Sequence, residues 1–296
     1  MGHDHSHSHD SSQNIKMAFV LNLAFTIIEI AGGLWTHSLA IVSDAVHDLG
    51  DSLALGMAWG LERVSKKKRD AVFSYGYRRF SLLGALFNTL VLLGGSVFVL
   101  SRAVPRILQP EPTNAPGMIA LALVGMLANG LAVLRLKGQR SANARTVMLH
   151  LMEDVLGWVA VFIVSIFLLF TDWYILDPLL SIFITFWVLA NVVRHIRKTL
   201  RLFLQGVPDD ISVDALRADL EALEGVWEVH HLHIWSMDGD HHVLTAHVVV
   251  NRDCSREEIV TLKSSINTLT SALHFVHTTL EFEYSDEACH NTADCA

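Results

Sequence analysis

Cysteine is scarce in this chain and gives no sign of a disulfide framework. The three cysteines, Cys254, Cys289 and Cys295, all lie near the C-terminus. An odd number of late cysteines favours a reduced, cytosolic setting in which thiolates can bind metal. We expect no cleavable signal peptide, because the first residues are polar and the first apolar run has the length of a membrane span.

Charge is also sparse, and neither sign dominates strongly enough to suggest nucleic acid as a partner. Charged residues make up 18% of the chain and the formal net charge is −8, whereas a nucleic-acid-binding protein needs a basic face. With 51% hydrophobic residues and a mean hydropathy of +0.38, the chain is too apolar for an ordinary soluble enzyme. It has neither a GxxxxGK[ST] phosphate loop nor the His-Glu-x-x-His motif of an intramembrane zinc protease, so we predict that it is not an enzyme.

Six apolar runs fill residues 16–205, and each is close to the ~20 residues that cross a bilayer. These runs are Met17–Trp35, Leu39–Leu61, Phe80–Leu100, Gly117–Leu134, Val147–Phe170 and Ile175–Val193. Lys and Arg concentrate in the links after runs two, four and six, which places both termini in the cytoplasm. The sequence therefore predicts an all-α, six-helix transmembrane domain.

Runs two and five each carry a histidine followed four residues later by an aspartate. The pairs are His47 with Asp51 and His150 with Asp154. Residues four apart share one helix face, and ionisable residues inside a span are rarely kept without a partner. Two imidazoles and two carboxylates suit a tetrahedral divalent cation of the zinc class. We therefore predict one shared metal site between these two helices.

Residues 206–285 have the pattern of a small soluble domain. A helix with Val213, Leu216 and Leu220 on one face comes first, and Ser255 with Glu258 forms a capping box that opens a second helix. Strands are predicted at Val226–Trp235, His242–Val250 and Phe275–Glu283. The α-β-β-α-β order predicts an open α/β sheet with its helices on one face.

Histidine is concentrated in this soluble domain and at the N-terminus. The C-terminal histidines are His230, His231, His233, His241, His242, His247, His274, His277 and His290. Together with Glu283, Cys289 and the tail 286–296 that holds Cys295, they predict at least one cytosolic metal site. Residues 1–15, with His3, His5, His7 and His9, are predicted to be a disordered tail that collects metal weakly.

With these residues in hand, the chain resembles the cation diffusion facilitators, a family of zinc-exporting antiporters. The matching segments are His37–Asp51, Phe73–Arg79, His150–Asp154, Asp177–Ser181 and His230–Ser236. The resemblance implies a homodimer in the lipid bilayer that exchanges a cytosolic divalent metal for protons. It also implies a metallochaperone-like C-terminal domain that dimerises and binds regulatory metal.

Carried over by position, the resemblance assigns roles to individual residues. The transport ligands are His47, Asp51, His150 and Asp154, a two-histidine set that is similar to that of the zinc-selective members. The possible regulatory ligands are His230, His247, His277 and Glu283. Asp48 and Glu153 depart from the family pattern beside the transport ligands, and they broaden the expected substrate range toward cadmium and cobalt.

The sequence therefore predicts a secondary transporter that exports Zn²⁺ in exchange for protons. The short link at Lys137–Arg145 lacks the long His-rich insertion of many eukaryotic relatives and favours a bacterial inner-membrane protein. A passive divalent metal channel and a metal-sensing membrane protein are the alternatives. Dependence of metal flux on a pH gradient separates the channel from the antiporter.

Overall fold

The computed structural model describes residues 7–65, 67–136, 142–287 and 289. Its side chains are described from residue 19 onward, apart from 58, 59, 62, 63, 136 and 142–147. Six long helices come first: α1 (His7–Thr36), α2 (Leu39–Ser65), α3 (Phe80–Leu108), α4 (Ala115–Leu136), α5 (Ala142–Phe170) and α6 (Leu176–Phe203). The chain contacts divide it into two compact units, residues 1–63 with 84–196, and residues 64–83 with 197–296.

Five of the long helices are apolar enough over a sufficient length to cross a membrane. The five segments are Phe19–Thr36, Phe80–Leu108, Ala115–Arg135, Met148–Phe170 and Leu176–Phe203. Helix α2 has 27 residues, enough to span a bilayer, but Asp44, Asp48 and Asp51 make it the most acidic of the six. The prediction of a helical transmembrane domain is confirmed, and α2 is its polar member.

Helix α1 begins earlier than the sequence predicts. Residues 7–15 belong to the helix, although the predicted disordered tail covers residues 1–15. The physical reason is cooperativity: once an apolar segment has nucleated a helix, each added residue gains a backbone hydrogen bond at little further cost. Of the N-terminal histidines, His3 and His5 lie outside the described residues.

A tightly packed cluster joins α2, α4 and α5. Ile41, Met118 and Trp158 are nearly fully buried in it. Gly125 of α4 lies directly against the Trp158 indole, so that a Cβ at this position would come within 2.3 Å of the ring. The missing side chain therefore lets α4 and α5 approach closely at this position.

The N-terminus of α2 is held by a carboxylate from α6. Asp177, which is fully buried, accepts hydrogen bonds from the Ser38 hydroxyl at 2.5 Å, the Leu39 amide at 2.7 Å and the Ala40 amide at 3.3 Å. The first amides of a helix have no partner within the helix, and a negative charge there is favoured by the helix dipole. Asp177 therefore caps α2 from a neighbouring helix.

The C-terminal domain has the predicted α-β-β-α-β order. Its elements are α7 (Val213–Glu221), β1 (Val226–Ser236), β2 (His242–Val250), α8 (Arg256–Ser271) and β3 (Phe275–Tyr284). The sheet order is β1-β2-β3, with β1 antiparallel and β3 parallel to β2. The capping box of Ser255 and Glu258 is present at the start of α8, as the sequence predicts.

Both helices of this domain cover the same face of the sheet. Leu220 of α7 and Ile266 of α8 pack in one core with alternate strand residues such as Leu244 and Val248. Because neighbouring residues of a strand point to opposite faces, His247 and Glu283 lie on the face that α7 and α8 leave uncovered.

Candidate metal centres

Three of the four predicted transport ligands come together between α2 and α5. In the group formed by His47, Asp51 and His150, one donor atom from each residue lies within 4.8 Å of the others. Asp51 is its centre, since its Oδ2 is 2.9 Å from Nε2 of His150 and 3.7 Å from Nε2 of His47. The two imidazole rings meet edge to face with their centroids 5.7 Å apart. Two nitrogens and one carboxylate in this arrangement match three protein ligands of a zinc-type site.

Asp154, the fourth predicted ligand, lies outside this group of donors. It is one helical turn beyond His150 on α5 and is 9% exposed. Asp44 and Asp48 of α2 are buried in the same region, close enough to Asp154 for their charges to interact. The α2–α5 interface thus contains more carboxylates than a four-ligand site needs.

Polar contacts with α1 and α6 fix α2 on two sides. Asn22 of α1 donates to the Ser52 hydroxyl at 3.0 Å and to the Asp48 carbonyl at 3.2 Å. Ser43 lies 2.8 Å from the Thr185 hydroxyl of α6. Hydrogen bonds between spans replace the water that these groups would otherwise need. Together with the Asp177 cap, they hold the helix that carries His47 and Asp51.

A second group of donors lies on the uncovered face of the C-terminal sheet. It contains His230, His247, Glu283 and Cys289, and one donor atom from each lies within 4.8 Å of the others. Glu283 bridges the two histidines, with Oε1 at 2.6 Å from His247 Nδ1 and Oε2 at 3.1 Å from His230 Nε2. The Cys289 sulfur is 3.8 Å from His247 Nδ1. Two imidazoles, a carboxylate and a thiol are a zinc-type donor set.

The two histidines beside Glu283 lower the pKa of its carboxyl group. Burial acts to raise the pKa of Glu283, but the hydrogen bond with His247 and the nearby His230 outweigh it, and the pKa is lowered. Glu283 is therefore ionised at neutral pH, as a metal-binding carboxylate must be. A cavity of about 450 Å³ lies beside this group and gives access to Cys289.

His231 approaches the same group, although strand alternation predicts that it points away. The pairing of β1 with β2 shifts between His230 and His233, and His231 has a positive φ of 46°. This bulge brings the His231 ring to 4.8 Å from that of His247, centroid to centroid. His231 is among the histidines from which the sequence predicts a cytosolic metal site, but no turn residue marks the bulge that brings it close to His247.

The remaining predicted cytosolic ligands are separate from this group. His277, another of the possible regulatory ligands, lies outside this group, because six positions along β3 separate it from Glu283 by about 20 Å. The His277 ring instead packs edge to face on Tyr75 at 5.2 Å. His290 and Cys295 lie outside the described residues.

Helices of membrane-spanning length with a histidine–carboxylate group between them, and a second group in the C-terminal domain, are the features of a membrane protein that handles divalent metal ions. Residues 15–204 match the family model of the cation efflux transmembrane domain, and residues 208–284 match that of the cation efflux protein cytoplasmic domain. The chain belongs to the cation efflux family, an integral membrane family of metal transporters.

Several bacterial relatives resemble the chain over nearly its whole length. The metal cation efflux system protein CzcD of Cupriavidus metallidurans is 34% identical over 95% of this chain and 90% of its own. The zinc transporter ZitB of Pectobacterium atrosepticum is 31% identical, over 98% and 92%. The cadmium, cobalt and zinc/H⁺-K⁺ antiporter of Bacillus subtilis is 30% identical, over 96% and 92%.

Proposed function

We propose that this protein exports Zn²⁺ from the cytoplasm in exchange for protons, and that both ions use the group around Asp51. The observation that carries this proposal is the 2.9 Å contact between His150 Nε2 and Asp51 Oδ2. At this distance the two groups form an ion pair when the imidazole carries its second proton, and the same two atoms are donors for a divalent ion. Metal binding therefore requires that the proton leave, and a returning proton closes the contact again.

The donor types support zinc as the main substrate. Two imidazoles with carboxylates are borderline ligands that suit zinc, and we propose Asp154 as the fourth ligand when metal is bound. The extra carboxylates of Asp48 and Glu153 would admit cadmium and cobalt as well. Relatives named for zinc, cadmium and cobalt transport support this substrate class.

We propose a regulatory role for the C-terminal donor group. Its histidines, Glu283 and Cys289 would bind cytosolic zinc when the metal is abundant and report its concentration to the transport domain. We also propose a homodimer joined through residues 206–285, with both termini in the cytoplasm, and the match of residues 208–284 to the cytoplasmic domain of the family supports it. The bacterial relatives and the short link at 137–145 support a place in the bacterial inner membrane.

The test is zinc entry into proteoliposomes that contain the full-length protein. The outside pH is fixed, and the interior is set acidic, equal or alkaline. We expect the fastest zinc entry into vesicles with an acidic interior, because protons there displace the metal from the site. Rates that do not change with interior pH would identify a passive divalent metal channel instead.

Two variants serve as controls for this assay. Asp51→Asn keeps the size of the side chain but removes the charge shared by both histidines, so zinc entry should be lost at every interior pH. Asp172→Asn removes an acidic charge from the exposed link between α5 and α6, where it contacts Tyr174. This variant should transport zinc as the wild type does.

A further inference from the structure

The loop between α2 and α3 is folded tightly around its own single acidic residue. The Asp70 carboxylate accepts hydrogen bonds from the amides of Val72 at 2.9 Å and Phe73 at 2.8 Å, and from the Tyr77 hydroxyl at 2.6 Å. These bonds, with that of Tyr77 the strongest, lower the pKa of Asp70. The Asp70 carboxylate is thus held mainly by two backbone amides and the Tyr77 hydroxyl, and the Lys67 charge contributes least to lowering its pKa.

Gly76 lets the two arms of this loop lie against each other. Its φ is +80°, in the region that favours glycine, and a Cβ there would be 3.3 Å from the Lys67 carbonyl oxygen. The backbone of Gly76 therefore packs directly on the backbone of Lys67 to Arg69. This close packing fixes the segment from which three consecutive cationic side chains project.

The cations of the loop line an open cavity with an excess of positive charge. The cavity has a volume of about 800 Å³, and Lys67, Lys68, Arg69 and Arg78 contribute to its wall. Among the described residues, only Arg78 of these four has a carboxylate within 4 Å, that of Asp238 at 3.8 Å. Lys67, Lys68 and Arg69 are exposed to solvent.

The carboxylates in the wall do not balance these cations. Asp238 is engaged by the Arg78 guanidinium and by the His241 imidazole, which is 2.8 Å from its Oδ2. Asp240 is the other acidic residue of the wall. The Ser74 hydroxyl adds a neutral hydrogen-bond donor to the same wall, whereas the Ser81 hydroxyl donates to the Arg78 carbonyl at 2.8 Å. Cations and a hydroxyl donor around one cavity form a site for an anion with several oxygen acceptors.

We propose that this cavity binds a phosphate-bearing anion. Lysine and arginine are the side chains that recognise phosphate, and the cavity is large enough for a phosphate that carries a further polar group. The loop directly follows the apolar part of α2 and directly precedes α3. Basic clusters next to a span meet the headgroups of acidic phospholipids, which makes such a headgroup the nearest source of phosphate.

The experiment measures binding to the purified full-length protein in a non-ionic detergent. The probes are short-chain phosphatidylglycerol, short-chain phosphatidylcholine and inorganic phosphate, each titrated in a calorimeter. We expect saturable binding of phosphatidylglycerol and at least tenfold weaker binding of phosphatidylcholine. The double variant Lys68→Gln/Arg69→Gln should weaken phosphatidylglycerol binding roughly 30-fold, as expected for the loss of two charges near the membrane.

Two further variants make the result specific to the cavity. Arg197→Gln/Lys198→Gln removes the same charge from exposed positions of α6 outside the cavity wall, and its affinity should stay within threefold of the wild type. Lys68→Arg/Arg69→Lys keeps the charge and should retain binding. Equal affinity for the two lipids, or an equal loss in both glutamine variants, would overturn the proposal.

Inorganic phosphate distinguishes the two sources of the anion. If millimolar phosphate leaves phosphatidylglycerol binding unchanged, the lipid headgroup is the ligand. If phosphate binds by itself and displaces the lipid, and the Lys68→Gln/Arg69→Gln variant loses this binding too, a soluble phosphate compound occupies the cavity. Both results support a phosphate site.

Discussion

Nε2 of His150 and Oδ2 of Asp51 lie 2.9 Å apart, so that one carboxylate of α2 meets the imidazole of α5. The same oxygen is 3.7 Å from Nε2 of His47, one turn earlier on α2. Asp51 is therefore the residue on which both histidines converge. This geometry separates the two predicted carboxylate ligands: Asp51 is already at the centre of the donor group, whereas Asp154 lies outside it.

The first prediction follows from the central position of Asp51. Asp51→Ala should lower zinc affinity at the transport site by at least about 100-fold, because removal of a ligand costs no less than loss of its supporting contacts. Equilibrium zinc binding to the full-length protein in detergent measures the effect. Asp172→Ala should bind zinc with wild-type affinity. If Asp51→Ala binds zinc with unchanged affinity, Asp51 is not a ligand of the transport site.

The second prediction concerns the sulfur ligand of the C-terminal group. In a background of Asp51→Ala, Cys289→Ser should weaken cadmium binding about tenfold or more and zinc binding less, because thiolate favours the softer ion. Competition titrations with both metals on the full-length protein provide the measurement. Cys254→Ser is the matched control, since Cys254 lies at the start of α8. An equal loss for both metals would mean that the thiol contributes no selectivity.

The third prediction concerns the hydrogen bond from Tyr77 to Asp70. Tyr77→Phe should loosen the loop and raise trypsin cleavage after Lys67, Lys68 and Arg69 severalfold. Tyr75→Phe, in the same loop, removes a hydroxyl that lies outside this bond and should leave cleavage unchanged. Similar cleavage of both variants would show that the Asp70 contact does not hold the loop.

The pH dependence of the loop follows from the lowered pKa of Asp70. A carboxylate whose pKa is lower in the folded protein stabilises the fold fully above its unfolded pKa of about 3.9, and this stabilisation is lost as the pH falls through the lower folded value. The ratio of cleavage rates between Tyr77→Phe and wild type should therefore stay constant between about pH 6 and pH 9, where Asp70 is ionised in both states.

The fourth prediction concerns the cap of α2. Asp177→Asn should destabilise the protein by about 1–2 kcal/mol, because a neutral amide loses the favourable charge at a helix N-terminus. We expect a lower melting temperature in detergent and a reduced maximal zinc flux, with zinc affinity near that of the wild type, since Asp177 contacts no residue of the donor group. Asp172→Asn is the control. A large loss of zinc affinity with normal stability would contradict the capping role.

Much of the fold could be predicted, because the sequence patterns that specify its helices and strands involve residues close together in the chain. The strand His242–Val250 has the predicted limits, and the capping box of Ser255 with Glu258 depends on residues three positions apart. Hydrophobic runs likewise mark the membrane helices within a few residues at most ends. The early start of α1 was not predictable in this way, because the polar residues before the span are ordered by the helix that follows them.

The sites were predictable only in part, since they depend on contacts distant in sequence. The i, i+4 spacing identified the faces with His47 and His150, but it does not determine which carboxylate meets both histidines. His231 joins the C-terminal group through a bulge that has no sequence signature. The cap by Asp177 joins residues 138 positions apart.

If the contacts of Ser43, Asp48 and Ser52 with α6 and α1 release, the Asp177 cap still holds the N-terminus of α2, and the helix can tilt about that end. Measured along the helix axis from the capped N-terminus of α2, His47 lies at about 12 Å and Leu61 at about 33 Å, given 1.5 Å per residue. A tilt of about 10° would move the imidazole by roughly 2 Å and the far end by roughly 6 Å, given the same helix geometry. His47 lies nearer to the capped end, where a small shift of its imidazole can break or restore a metal–ligand bond. The far end would move about three times that distance.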